Sequence, residues 1–127
     1  MTAVSHYSTR TLLLGSGGGF FGGVLFGLLQ IVVSAASGEA PLLSFRAISS
    51  MVLGTQALAP GYPAATAVAT GIALHLLFSV IYGVAFALFL SSTRQMSTPG
   101  SVLMVLGSIY AMILWVVSFL EPVMNLR

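Results

Sequence analysis

Three stretches of this chain, residues 11–36, 63–90 and 101–120, contain no Asp, Glu, Lys or Arg. Each reaches the roughly 20 residues that an apolar α-helix needs to cross the hydrocarbon layer of a bilayer. A lipid interior offers backbone polar groups no partner except those of their own helix or of a closed barrel. Runs of this length suit the helix. The whole 127-residue chain carries four basic and two acidic residues. Soluble domains carry about 25% charged residues, so six could not cover a water-facing surface. The expectation is a single all-α membrane domain over residues 1–127, a polytopic transmembrane bundle.

The first run could be mistaken for a signal peptide, because Arg10 precedes it and Ser34-Ala35-Ala36 offers small residues after it. It is too long for a signal core of roughly 7–15 residues. It is read as transmembrane helix 1, about 11–36, closed by Gly38 and Pro41. A short helix is expected over about 42–58, interfacial or half-inserted. Arg46 interrupts its apolar side, and an Arg at the centre of a span costs about 2.5–3.5 kcal/mol. Near the interface Arg46 can snorkel at lower cost. A full span here is the alternative. Pro60-Gly61-Tyr62-Pro63 makes a turn, and Pro63 suits the first turn of a helix. Transmembrane helix 2 follows over about 63–90 and helix 3 over about 101–120, ending at Glu121-Pro122.

Three spans place Arg10 and Arg94 on one side, and Arg46 and Arg127 on the other with Glu39 and Glu121. The basic residues tie, and the first helix usually dominates. The amino terminus is therefore expected in the cytoplasm and the carboxyl terminus outside. A full span at 42–58 would put both termini on one side.

The most specific pattern is Gly15, Gly19, Gly23 and Gly27, flanked by Gly18 and Gly22. Four-residue spacing puts the first set on one side of a helix. Small residues let helix backbones approach closely in lipid, where association depends on packing. This glycine zipper could form a seam within the chain or dock a neighbouring subunit. It is no phosphate loop, because no Lys follows and the run lies inside an apolar span. Helix 2 has a similar stripe of Gly71, His75, Ser79, Gly83 and Ala87, with Tyr82 three positions after Ser79. Helix 3 offers a smaller seam at Gly107, Ser108 and Ala111, with Tyr110 and Trp115 among its aromatic residues.

A histidine inside a span is a functional candidate by default. His75, with Ser79 and Tyr82, could serve as a haem or metal ligand, a quinone partner or a proton relay. Alternatively, its imidazole simply hydrogen-bonds Ser79, Tyr82 or a carbonyl on a neighbouring helix. His6 is the other histidine and lies outside the spans, so a multi-histidine metal site within one chain is not expected. The chain has no Cys and no Asp. That removes thiol chemistry, and Ser79 beside His75 has no orienting acid. No enzyme activity, resident cofactor or metal is expected. No basic patch exists for nucleic acid.

The run Phe45-Arg46-Ala47-Ile48, Val52-Leu53-Gly54, Ala57-Leu58 and Pro60-Gly61-Tyr62, followed by Gly71-Ile72-Ala73-Leu74-His75-Leu76, Ser79, Tyr82-Gly83 and Phe86-Ala87-Leu88, resembles a family of small prokaryotic multi-pass membrane proteins of unknown function. Gly107-Ser108-Ile109-Tyr110 and Leu114-Trp115-Val116-Val117 with Pro122 are similar to that family's last helix. The resemblance implies a membrane fold and no activity.

The functional expectation is a non-catalytic accessory subunit, its partners the lipid bilayer and other membrane subunits. A respiratory or photosynthetic electron transport complex is a candidate host. A homo-oligomeric channel or transporter, or a contributor to a haem or quinone site through His75, are the alternatives.

Overall fold

The structure is a computed structural model, and it describes residues 9–92, 102 and 106–113. The described elements are all helical. They are α1 (Thr9–Ala36), α2 (Leu43–Leu53), a 3-10 turn (Thr55–Leu58) and α3 (Ala64–Ser92). The chain divides into two compact units, Met1–Phe89 and Leu90–Arg127. In the second, residues 106–113 are helical. Most of the expected third span lies outside the described residues, as do Arg94, Trp115, Glu121 and Arg127.

Helices α1 and α3 have 28 and 29 residues. At 1.5 Å per residue each is a little over 40 Å long, enough to cross a hydrocarbon layer of about 30 Å. Both are long and apolar enough to cross a membrane. Little of either helix is buried among the described residues. Leu13 and Phe21 on α1 are both 67% exposed, and Leu77, Ile81 and Phe89 on α3 are also exposed.

The end of α1 follows from one glycine. Gly38 takes φ +77°, a left-handed conformation that costs a side-chain-bearing residue roughly 1–2 kcal/mol. That turn lets the Gly38 N–H donate to Ala35 O at 3.2 Å and the Glu39 N–H to Ser34 O at 2.9 Å. These are the two bonds of a Schellman cap, which occupies carbonyls the helix would otherwise leave open.

The segment after Pro41 departs from the single short helix expected over 42–58. It breaks at Gly54, where φ +80° and ψ 171° lie in a region open essentially to glycine alone. Before the break, α2 closes with Gly54 N–H donating to Ser50 O. After it, the chain reverses into the 3-10 turn and packs back on α2. Arg46 ties the two together, its Nε–H donating to Ala57 O at 3.0 Å and its Nη2 to Ala59 O at 2.8 Å. The hydroxyl of Ser49, a fully buried residue, donates to Arg46 O at 2.7 Å. The sequence marked Arg46 as a snorkelling charge; its side chain also caps the carbonyls of a tight turn. Gly54→Ala is expected to destabilise the protein by about 1–3 kcal/mol, measured as a lower midpoint of unfolding in detergent. Gly17→Ala, on an open helix surface, is the control that should leave it unchanged.

Candidate functional site

Helices α1 and α3 run antiparallel and meet along their two small-residue stripes. A β-carbon placed on Gly15 would lie 2.8 Å from Ala87 Cβ and 2.9 Å from Gly83 O. On Gly19 it would overlap the Ser79 carbonyl oxygen, and on Gly23 it would lie 2.5 Å from Ser79 Cβ. On Gly27 it would meet the His75 ring at 3.5 Å. Each step of four up α1 is thus answered by a step of four down α3. Gly83 is equally confined, because a methyl there would overlap Gly15 O. At Gly15, Gly19, Gly23 and Gly83 real β-carbons do not approach this closely, so these glycines set the distance between the helices, whereas the spacing at Gly27 is ordinary van der Waals contact. Among the described residues, Gly17, Gly18 and Gly22 have nothing within 4 Å, and they take no part in this seam.

Helix α2 fits into the same arrangement through Gly71 and Phe45. A β-carbon on Gly71 would overlap the Phe45 carbonyl oxygen, so the α2 backbone rests directly on α3. Phe45 is 3% exposed. Its ring tip lies over Gly27 on α1, and its ring meets the His75 ring edge-on at 5.7 Å between centroids. One aromatic side chain therefore touches both long helices. Phe26 stacks on the His75 ring from another direction at 6.2 Å and 17°.

His75 sits where these segments converge. Its Nε2 lies 2.9 Å from the Gly23 carbonyl oxygen. A carbonyl can only accept, so Nε2 carries the hydrogen and donates it. This is an interhelical bond from α3 to α1, and it uses the nitrogen that a haem or metal would need on that edge of the ring. Ser79 does not face the imidazole nitrogen. Its hydroxyl donates to the His75 carbonyl at 2.7 Å, one turn back on the same helix. A nucleophile paired with a base would require its hydroxyl to bond a ring nitrogen. Tyr82 is exposed and stacks on Phe78 at 6.5 Å. Ser79 therefore meets His75 at its backbone, and the Tyr82 ring packs on Phe78. Gly107 lies in the helical residues 106–113 of the second unit.

Beside His75 lies an open cleft of about 160 Å³, lined by Gly23, Gly27, Phe45, Ile72 and Leu76 among others. Among the described residues, no three His, Asp or Glu side chains come together as metal ligands. As residues of the site, Phe45, Phe26 and Gln30 emerge only in the structure. Gln30 carries a buried Oε1 with no hydrogen-bond partner among the described residues. The available signal for Phe45 was its four-residue spacing to Ser49, which with it forms the buried side of α2.

Comparison with known proteins finds no matching family model, no matching curated protein and no matching solved structure.

His75→Leu should remove the Gly23 bond while keeping most of the ring's apolar volume. Interhelical hydrogen bonds in membranes average about 0.6 kcal/mol and reach about 1.7. The expected loss is about 1 kcal/mol, read from denaturant titration in mixed micelles. Equal stability of His75→Leu and the parent would show that the bond contributes nothing.

Proposed function

We propose that this chain is a non-catalytic integral membrane subunit, seated by its two long helices in a prokaryotic inner membrane and packed there against other membrane proteins. One observation carries the reading. Three of the polar side chains that could do chemistry instead bond main-chain carbonyls: His75 that of Gly23 on the facing helix, Ser79 that of His75 one turn back, and Arg46 those of Ala57 and Ala59. The outside of the helices is apolar and open, as lipid or a neighbouring helix requires. The resemblance to small multi-pass prokaryotic proteins agrees with this placement.

The glycine zipper of α1 supports an internal role, since α3 occupies it. A docking subunit would instead meet α1 beside that seam. Gly18 and Gly22 offer an open strip there, about 100° around the helix from Gly19 and Gly23.

The test is gentle detergent extraction, native separation and mass spectrometry of what migrates with the chain. Recovery with defined membrane proteins is expected. Recovery solely as a monomer would end the subunit reading, and a homo-oligomer would favour a channel.

A further inference from the structure

We propose that the end of the bundle formed by α2 and the start of α3 is a binding site for one anionic phospholipid, with the Arg46 guanidinium on its phosphate. An open groove of about 310 Å³ lies there, walled by Ala40, Pro41, Leu42, Leu43, Ala64 and Val68, with Arg46 as its one charged side chain.

A guanidinium has five N–H donors in a fixed fork. Two are used, by Ala57 O and Ala59 O. That leaves three without an acceptor among the described residues. No carboxylate pairs with Arg46 there either, although Glu39 stands one residue before the groove wall. The cation is half-buried and held by its two carbonyl bonds. A tethered, unpaired guanidinium fork matches the geometry of a phosphate.

Place in the fold supplies the second argument. Ala40 to Leu43 follow the end of α1, while Ala64 and Val68 stand in the first turns of α3. The groove therefore sits at the ends of both long helices, where headgroups meet hydrocarbon. The amino end of α3 adds a positive partial charge from its unpaired N–H groups. The remaining walls are aliphatic and would hold the upper part of an acyl chain. A free anion would leave those walls empty. A zwitterionic lipid would bring its own cation beside Arg46. Charge and wall chemistry together select an anionic lipid.

This inference rests on the membrane reading above, and the experiment separates the two. The full chain is purified in mild detergent, mixed with equal phosphatidylglycerol and phosphatidylcholine, and weighed by native mass spectrometry. One phosphatidylglycerol should stay bound, preferred by about tenfold, as expected for one charge-assisted contact. Arg46→Gln should abolish the preference. Because Arg46 also braces the turn, Val68→Trp provides a second route. It fills the groove without touching the Arg46 bonds, and it should reduce lipid retention while leaving the unfolding midpoint in place. Equal retention of the two lipids, or full retention in Val68→Trp, would overturn the site. Displacement by millimolar inorganic phosphate would make it an anion site and overturn the lipid. A chain that stays in water without detergent would remove the membrane reading as well.

Discussion

Gly19→Leu is expected to force α1 and α3 apart and to cost about 3 kcal/mol or more. The reason is what lies opposite. A β-carbon on Gly19 overlaps the Ser79 carbonyl oxygen and lies 3.0 Å from Gly83 Cα, so the obstruction is backbone. A flexible side chain could rotate aside, whereas a helix backbone must translate as a unit. Moving α3 would also lengthen the His75–Gly23 bond and lift Phe45 from Gly27. Gly18→Leu changes the neighbouring residue to the same side chain on an open surface. It should leave stability nearly unchanged. The measurement is the unfolding midpoint of both variants in one detergent. Equal effects at the two positions would show that side-chain bulk in lipid, and not the α1–α3 contact, governs the response.

Gly71→Val is expected to detach α2 while leaving the α1–α3 pair in place. The new side chain would collide with the Phe45 backbone. Overpacking of this kind typically costs about 1–3 kcal/mol, and here it falls on one segment. The readout should therefore be local. The chain has no cysteine, so Ser49→Cys places one thiol at a fully buried position of α2. Maleimide labelling of Ser49→Cys should be slow alone and fast when combined with Gly71→Val. Slow labelling in both would show that α2 tolerates the intrusion.

Much of this arrangement was legible beforehand, for physical reasons that differ by residue. Gly15, Gly19, Gly23 and Gly27 lie four apart, and helical geometry alone puts them on one side. The same holds for Gly71, His75, Ser79, Gly83 and Ala87. Long uncharged runs announced the two helices, because a helix able to cross a bilayer needs apolar side chains over a fixed length. The break at Gly54 was not legible. Glycine permits a left-handed conformation without requiring one, and Gly17 or Gly18 is simply helical. The partner of His75 was equally hidden. An imidazole can bond a hydroxyl, a phenol or any carbonyl within reach, and only the register of α1 against α3 selects Gly23.

By itself, then, the sequence determined the helical character of the chain, the length of its two long helices and which sides of them are small. These depend on local spacing and on transfer of side chains from water to lipid. Only the tertiary structure decided that the two stripes face each other in antiparallel register, that Phe45 lies across both helices, and that Arg46 holds a turn and keeps three donors open among the described residues. Those outcomes depend on contacts between residues far apart in the chain. Local spacing says which side of a helix is available and leaves open what comes to rest on it.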